Sequence, residues 1–573
     1  MSIALFYPLS LFGQETNSHV SGIVKSEDNE VLFNATVIAV HEPTKNTYST
    51  KANETGYFYF FNVRPGGPYS ITISHTGFQK LIVKNLFLSY STPNFYANGD
   101  ELSAFVLHKN DMLMPEVIVS AIPVPQKFGI ETNIDKNKIR SLPSVSRNLQ
   151  DFVRLVPQAK VNGEGMISLA GQNNKFNAFF IDGSNINDML GLSVGGTAGG
   201  QTGSPPISIE AIEELNVSLS PFDVQYSNFT GGNINAITRS GSNEFKSSAW
   251  YFFRNEKLAG KSPVPVAKPG SPGVFERSRL SDFFNQTTGV WISGAFVENR
   301  LFYFFLTEIQ DEAQPQSYFF SDYRGNSSMN QINALADTVQ KRFGYDPGTF
   351  LETSNELLAK RFTAKLDWNA DNNNKLTVSY RYNKAERVTP QLQNSGSIIR
   401  FSNNRFSLIS KINSASLEWK RYFKGSANNR LLIAYNNELT DRQVVGQPFP
   451  VVSIMDGAAI ITLGSNANAQ LNVLKASEFN LSDIFRVSKG RQVFSAGAEV
   501  NFSRIKDVAI GNYFGQYVYK NPADFIDNEF AIRYFRNASS VDKPVNDETK
   551  AGARFNTMRL GAFINDEIRV NSI

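Results

Sequence analysis

The chain has 573 residues, enough for several domains, and a net charge of only +4. So mild a charge does not indicate a nucleic-acid partner, and the absence of cysteine excludes disulfides, thiolate metal sites and cysteine nucleophiles. Aromatic residues make up 12% of the chain and there are 40 glycines, a composition that favours β-structure with many turns. No run of about 18 apolar residues occurs, so no membrane-spanning helix is predicted, although barrel strands would leave only a period-two signal.

The N-terminal stretch, residues 1–14, reads MSIALFYPLSLFGQ and leads directly into the start of a domain. It has the apolar centre of a secretion signal but lacks the positively charged start. We interpret residues 1–16 as the remnant of a signal peptide that is shortened at its N-terminal end. An ordinary apolar strand is the alternative interpretation.

Residues 19–107 carry short alternating strands separated by turn residues at positions 53–56 and 66–68, which is typical of a small β-sandwich. The G-x-V at residues 22–24, the Gly-Tyr-Phe at 56–58 and the Pro-Tyr at 68–69 resemble the carboxypeptidase-regulatory-like domain. The resemblance implies a packing or recognition module without catalysis. Its relation to carbohydrate-binding folds is an analogy and predicts no sugar ligand.

All four histidines lie in or beside this domain: His19, His41, His75 and His108. A metal site needs ligands that converge at a fixed spacing, and no His-x-x-x-His pair occurs. We therefore predict histidines at the surface or at strand edges, and no metal site.

A short hydrophobic segment at residues 114–120 reads MPEVIVS and precedes Pro123 and Pro125, which suit a linker. In position and composition it resembles the TonB box, the short extended segment near the start of a receptor plug. The resemblance implies that the main chain pairs with an edge of a TonB-type energy-transducing complex by β-augmentation. A plain linker strand is the alternative. The candidate residues are Glu116, Val117, Ile118, Val119 and Ser120.

The pattern of residues 141–156 predicts a short helix that ends before Pro157. Ser146 could cap this helix. Its apolar residues fall at helical spacing and are expected in a core. They are Leu149, Phe152, Val153 and Val156. Further along, residues 191–203 read GLSVGGTAGGQTG without the Gly-Lys-Ser/Thr of a phosphate-binding loop, so we predict a mobile loop rather than a nucleotide site.

The run at residues 229–245 reads FTGGNINAITRSGSNEF. Gly231 and Gly232 permit tight backbone geometry, and the strand that follows reaches Thr238 before a turn. The run resembles the C-terminal signature of the TonB-dependent receptor plug, and its ending resembles the Oar-like branch of that family. Two upstream segments, residues 167–188 and 209–217, are similar to preceding plug strands. The first of them contains a hydrophobic-Asp-Gly turn at Ile181, Asp182 and Gly183.

Beyond residue 245 the pattern changes to long strands with one polar and one apolar face, as at residues 361–368, 375–382 and 494–502. A soluble sandwich would show the same alternation. The connections decide between the two, because short and long ones alternate as in outer-membrane barrels. Short turns are predicted at 297–300, 370–374, 424–429 and 488–491, and long segments at 255–285, 311–358, 385–407, 441–471 and 506–555.

Aromatic residues cluster beside the short turns, as an interfacial girdle requires, with cross-strand packing as the alternative role. They are Trp368, Trp419, Tyr422 and Phe423. Within the long segment 311–358, apolar residues at helical spacing predict a helix over a small satellite core. They are Ile332, Leu335, Val339 and Phe343.

The sequence predicts roughly ten barrel strands, which at roughly 6 Å of circumference each would enclose a diameter of about 20 Å. A plug formed by residues 124–240 needs about 35 Å. We therefore expect the N-terminal part of a longer receptor with about 22 strands. A closed ten-stranded barrel with the plug outside is the alternative.

The expected fold is mainly β, with a small N-terminal β-sandwich, a mixed α+β plug and an antiparallel transmembrane β-barrel. The expected domains are a signal-peptide remnant (1–16), a carboxypeptidase-regulatory-like sandwich (17–110), a TonB-box-like linker (111–123), a plug (124–243) and the first part of a barrel (244–573).

The resemblance implies a TonB-dependent receptor in the outer membrane of a Gram-negative bacterium. Such a receptor passes a substrate actively across that membrane with energy from the inner membrane. Oar-like export or surface display, and a non-transporting adhesin or carbohydrate-binding surface protein, are the alternatives. We find no nucleophile elbow, zinc helix motif or paired carboxylates, so we expect neither enzyme activity nor a cofactor. The expected partners are the TonB-type complex, outer-membrane lipid and an unidentified substrate, without nucleic acid.

Overall fold

A computed structural model describes residues 18–568 except 89–92, 96–103, 110–116, 121–130, 143, 145–146, 163–164, 220–228, 262, 268–272, 278, 280–281, 391–392, 424–426 and 539–551. The segment interpreted as a signal peptide lies outside the described residues. None of the helices in the described part of the chain is long and apolar enough to cross a membrane.

The first body is a two-layered β-sandwich. Its strands are β1 (Ser18–Ser26), β2 (Thr36–His41), β3 (Asn46–Lys51), β4 (Tyr57–Val63), β5 (Gly66–Ser74), β6 (Leu81–Leu88), β7 (Pro93–Phe95), β8 (Ala104–Leu107) and β9 (Val117–Ser120). In one sheet β1 pairs with β4, β7 and β8, and the other sheet has the order β3-β2-β5-β6-β9. The apolar faces of the two layers form one core.

The residues that carry the sandwich resemblance have structural roles in this core. A Cβ at Gly22 would lie 2.5 Å from the Phe105 ring, so glycine leaves room for this ring against β1. The turn before β4 forms because the Asn53 side chain accepts hydrogen bonds from the backbone N–H groups of Thr55 and Tyr57. The buried Tyr69 hydroxyl donates to the Arg64 carbonyl at 2.8 Å.

One histidine departs from the predicted surface placement. His108 is exposed and His75 is half-buried, but His41 at the end of β2 is only 4% exposed. Its Nδ1 lies 2.6 Å from Thr44 Oγ1, and its ring centroid lies 4.8 Å from that of Tyr69. The prediction was wrong for His41 because the end of β2 turns inward here, where an aromatic neighbour and a hydroxyl enclose the imidazole.

Burial, followed by the nearby charges of Arg64, Lys375 and Lys136, lowers the pKa of His41 well below its usual 6.5. The unfolded chain therefore binds a proton that the folded chain does not, and the free energy of unfolding should fall as pH drops below about 6.5. The slope from this one group is at most about 1.4 kcal/mol per pH unit. Denaturation of the full chain between pH 7.5 and 5 should show this slope, and His41→Gln should reduce it. The control His75→Gln should keep it, and equal slopes in all three proteins would contradict the assignment.

The second body is the plug, which contains helices α1 (Lys136–Ser141) and α2 (Leu149–Val153) and seven strands. These are β10 (Glu131–Asp135), β11 (Ala159–Val161), β12 (Ile167–Leu169), β13 (Ala178–Ile181), β14 (Ser184–Asn185), β15 (Ile212–Ser218) and β16 (Asn233–Thr238). Five of them form a mixed sheet of order β10-β15-β16-β13-β14, in which β13 and β16 run parallel.

The helix predicted at residues 141–156 is shorter in the structure. It is α2, and its N-terminal cap is Asn148, whose side chain accepts from the N–H of Asp151 at 3.2 Å. The predicted cap, Ser146, lies outside the described residues. The apolar residues of the helix do lie in the plug core, as predicted.

The third body begins at residue 246. Its elements are β17 (Lys246–Asn255), β18 (Val266–Ala267), β19 (Phe275–Glu276), β20 (Phe284–Val297), β21 (Leu301–Ser317), α3 (Met329–Phe343), β22 (Glu352–Asn369), β23 (Asn374–Thr389), β24 (Ile398–Arg400), β25 (Phe406–Phe423), β26 (Ala427–Val444), β27 (Val451–Asp456), β28 (Ala459–Leu463), β29 (Asn472–Lys489), β30 (Gln492–Ala509), β31 (Gln516–Tyr519), α4 (Pro522–Ile526), β32 (Arg533–Phe535) and β33 (Ala553–Ile568).

Ten of these strands form one antiparallel sheet, with the order β17-β20-β21-β22-β23-β25-β26-β29-β30-β33. The described part of the sheet is open, with β17 at one edge and β33 at the other. Its strands are separated by the four predicted short turns at one end and by long connections at the other, so the predicted alternation is confirmed. Several strands continue further into the long connections than predicted, as β21 and β22 do.

The two faces of this sheet are the reverse of those in a soluble protein. In β22 the polar residues Arg361 and Lys365 are 4% and 7% exposed on the face that contacts the plug, whereas Phe362 is 36% exposed on the opposite face. The same reversal occurs in β23, where Arg381 is buried and Val378 is exposed. A sheet with an apolar outside and a polar inside matches a barrel wall in lipid.

Four long connections fold into a small outer body at the end of the sheet opposite the short turns. It contains α3, α4 and a second sheet of order β24-β28-β27-β31-β32. Helix α3 begins at a capping box formed by Ser328 and Gln331 and ends at Gly344, which has a φ of +66°. The satellite core predicted beneath it is confirmed by the burial of Ile332, Leu335 and Val339, but Phe343 is exposed.

Candidate transport site

The hydrophobic-Asp-Gly turn of the plug lies where the plug meets the barrel wall. Asp182 and Gly183 have positive φ values of 50° and 78°, as a two-residue hairpin turn between β13 and β14 requires. The Asp182 carboxylate accepts from the backbone N–H of Thr238 at 2.9 Å and from its hydroxyl at 2.6 Å. The turn and the end of the glycine-containing run are thus joined, although 56 residues separate them.

Two cations of the barrel wall hold this junction. Lys365 Nζ lies 3.0 Å from the Thr238 hydroxyl oxygen and 3.5 Å from the Asp182 carboxylate. Arg381 donates to the carbonyl of Ile181 at 3.3 Å. All of these groups are largely buried, so the junction is a charge-assisted contact between plug and wall.

Gly231 and Gly232 are required by close packing inside the plug. A Cβ at Gly231 would lie 2.4 Å from the Asn177 side-chain oxygen, and one at Gly232 would lie 2.4 Å from Leu169 and 3.0 Å from the Ser218 carbonyl. Both glycines have a structural role in seating β16, and neither lies at an open binding surface.

A second contact joins the plug to the wall nearer the outer body. Arg361 donates to Glu308 at 2.7 Å and to the Ser204 hydroxyl at 2.8 Å, and Ser208 donates to the other Glu308 oxygen at 2.8 Å. The side chains of Arg361 and Glu308 are 3% and 5% exposed. This buried ion pair of the wall is therefore completed by plug hydroxyls.

The glycine-rich segment 191–203, predicted to be mobile, is packed between plug and wall instead. The N–H of Gly199 donates to Glu438 at 2.8 Å, and Arg387 donates to the carbonyl of Thr202. A Cβ at Gly199 would lie 2.3 Å from the Ser410 hydroxyl oxygen, so glycine allows the close approach. The prediction of a mobile loop was wrong because the wall residues that bind this segment lie more than 180 residues away in sequence.

The sandwich lies at the short-turn end of the barrel sheet. Asn62 donates to Asn428 at 2.5 Å, and the Tyr422 hydroxyl donates to the carbonyl of Asn62 at 2.8 Å. Lys375 Nζ lies 3.5 Å from the centroid of the Tyr48 ring. These contacts place the sandwich below the plug, on the side where the turns are short.

Tyr422 therefore does not belong to the predicted aromatic girdle. It lies on the inward face of β25, in phase with Glu418 and Lys420, and its ring contacts Tyr48 of the sandwich. Trp368 and Phe423 are both exposed on the outward face, in keeping with the girdle.

A cavity of about 810 Å³ separates the sandwich, the plug and the wall. Its lining combines cations with acids, among them Arg239, Lys365, Glu418 and Lys420. No group of three or more potential metal ligands occurs among the described residues. The cavity lies on the sandwich side of the plug, opposite the long connections.

The candidate partner segment lies on the sandwich. Glu116 falls outside the described residues, but Val117, Ile118, Val119 and Ser120 form β9, which pairs in parallel with β6. Neither the sandwich contact nor the wall residues that hold the plug was predicted. Arg361 and Lys365 stand out only as charged residues on the polar face of an alternating strand.

Comparisons with known proteins agree with this architecture. Residues 19–94 match the carboxypeptidase regulatory-like domain family. The structure aligns with the outer membrane transporter YddB from Escherichia coli at a TM-score of 0.52 and 13% identity, covering 77% of this chain and 54% of that one. The chain thus has the plug-and-barrel fold of TonB-dependent outer-membrane receptors, and this fold places it in the outer membrane.

In sequence the chain is similar to the TonB-dependent transporter Oar of Myxococcus xanthus, with 26% identity over 214 residues. That match covers 34% of this chain and 19% of Oar, so the chain spans only a part of the relatives that it matches. Both of these similar proteins are named as transporters.

Proposed function

We propose that this chain acts in active passage of a substrate across the outer membrane, driven by a TonB-type complex of the inner membrane. The observation that carries the proposal is the seat of the plug, which fills the polar face of a sheet whose opposite face is apolar. A plug in this position blocks the lumen and must shift before a substrate can pass. The outer membrane has no nucleotide supply, and we find no nucleotide motif, so the work has to come from elsewhere.

The polar contacts between plug and wall support a plug that can move, although Trp291, Phe304 and Leu306 of the wall join the apolar core of the plug. Its contacts are hydrogen bonds and ion pairs such as Asp182–Lys365, which water can replace when the plug shifts. Water could not replace the contacts of an interface built from interlocked apolar side chains. Capture of the substrate is assigned to the outer body and the outer side of the plug, because these lie at the end with long connections.

Export or surface display is the second candidate, because the name of the similar transporter Oar states no direction of passage. The same plug and partner segment would serve passage in the outward direction. A non-transporting adhesin that uses the sandwich for contact is less well supported, because the sandwich packs below the plug on the short-turn side.

Deletion of residues 116–120 tests the proposal. We expect cross-linking to the periplasmic domain of TonB, and energised passage of the substrate, to fall to the level of a strain that lacks the energy complex. A control that deletes the five residues 122–126 should retain at least half of the cross-linking. A growth screen with siderophores, glycans and peptides in a deletion strain supplies the substrate for the assay. Undiminished passage after deletion of residues 116–120 would exclude TonB-driven passage, whereas absence of energised passage in the unmodified chain would favour an adhesin.

A further inference from the structure

The segment assigned to the energy-transducing partner is already part of a sheet. The Cα register pairs Val117 with Leu81, Ile118 with Ile82, Val119 with Val83 and Ser120 with Lys84. All four residues run parallel to β6, and β6 pairs with β5 on its other side. The segment is therefore the last strand of the sandwich sheet.

A strand has two edges, and β9 uses only one of them for β6. Among the described strands none pairs with the other edge of β9, which ends the order β3-β2-β5-β6-β9. Because successive residues of a strand direct their N–H and C=O groups to opposite sides, half of the main-chain groups of β9 face this outer edge. Such an edge is a template for one more strand.

We propose that the sandwich is a platform that presents β9, and that a strand of the TonB-type partner adds to the outer edge of β9 while β9 stays on β6. This inference rests on the proposed function and specifies how the partner is recognised. An extended segment that is ordered in advance loses less conformational entropy on binding than a free linker does. The partner then continues a six-stranded sheet, and the sandwich has a role in recognition that the transport proposal alone does not give it.

The alternative arrangement is competition, in which the partner takes the edge that β6 now occupies and β9 must first leave the sandwich. The two arrangements differ in what happens when β9 cannot leave. Under the platform arrangement a locked β9 still binds the partner. Under competition a locked β9 cannot bind the partner.

The absence of cysteine from the chain makes such a lock specific. Lys84 and Ser120 are register partners, so the Cα atoms of Lys84→Cys and Ser120→Cys face each other at a separation that a disulfide can bridge. The control pair Lys84→Cys with Val117→Cys is three residues out of register, at roughly 10 Å, and should not close. Ser120→Cys alone controls for the thiol.

The experiment uses the full chain in detergent and the purified periplasmic domain of TonB as the probe. We expect the in-register pair to form an intramolecular disulfide, and its oxidised form to bind the probe within about twofold of its reduced form. A loss of tenfold or more on oxidation, reversed by reduction, would overturn the platform in favour of competition. Failure of the in-register pair to form a disulfide would also overturn it. Self-association of the oxidised chain that the probe cannot reverse would overturn it as well, because a second copy would then occupy the outer edge of β9.

The same experiment separates this inference from the proposed function. Reduced chain that binds the probe, combined with oxidised chain that does not, contradicts only the platform. Absence of binding by both forms and by the unmodified chain contradicts the TonB-driven function itself, and the platform with it.

Discussion

Replacing Arg361 by methionine is expected to lower the free energy of unfolding of the plug–wall unit by about 3–5 kcal/mol. The change removes the guanidinium that lies 2.7 Å from Glu308 and leaves a buried carboxylate that still accepts from the Ser208 hydroxyl but has lost its cation. The hydrogen bond from Arg361 to Ser204 of the plug is lost at the same time. Urea unfolding in detergent micelles measures the loss of unfolding free energy, with the susceptibility of the plug to proteolysis as the readout.

The matched control is the double variant Arg361→Met with Glu308→Gln, which removes both charges together. Because no unpaired charge then stays buried, we expect the double variant to recover at least half of the lost stability. Equal losses in the single and double variants would mean that the ion pair is not what stabilises this contact.

Replacing Gly241 by alanine should disrupt the packing of the segment that joins the last plug strand to the first barrel strand. An added Cβ would lie 2.4 Å from the carbonyl oxygen of Gly294 and 2.5 Å from that of Tyr303, both of which belong to paired strands. Backbone atoms of a ladder cannot rotate away as a side chain can, so the cost should reach or exceed the upper end of the usual overpacking range, about 3 kcal/mol. We expect reduced heat resistance of the folded barrel on gels and faster proteolysis between plug and wall.

Gly260→Ala provides the control, because a Cβ there meets nothing within 4 Å. It should change stability by less than about 0.5 kcal/mol. If Gly241→Ala were as stable as Gly260→Ala, Gly241 would not pack against the backbone of Gly294 and Tyr303.

The faces of the strands could be predicted from the sequence, whereas the residues that they contact in the plug could not. Alternation in residues 361–368 identified the polar face, and the structure directs that face toward the plug. Which plug atom Lys365 contacts was beyond prediction, since Thr238 lies 127 residues earlier in the chain. Strand patterns report local geometry, whereas the contacts of a plug depend on the closure of a long chain.

Two errors have different physical origins. The glycine-rich segment 191–203 was expected to be a mobile loop because it lacks a phosphate-binding motif, but its Gly199 serves close approach to the wall at Ser410. Tyr422 was grouped with the girdle by proximity, although it is out of phase with Trp419 and Phe423 along β25. That second error could have been avoided by counting the strand period from Glu418.

The account as a whole depends on β22 facing the plug with its polar residues and lipid with its apolar ones. Single cysteines at positions 362, 363, 364 and 365 of the otherwise cysteine-free chain can carry a fluorophore in vesicles that contain brominated lipid. We predict strong quenching by the lipid at Phe362 and Ala364 and weak quenching at Thr363 and Lys365. Uniformly weak quenching, or quenching with the opposite phase, would contradict the placement of this sheet in the membrane around its plug.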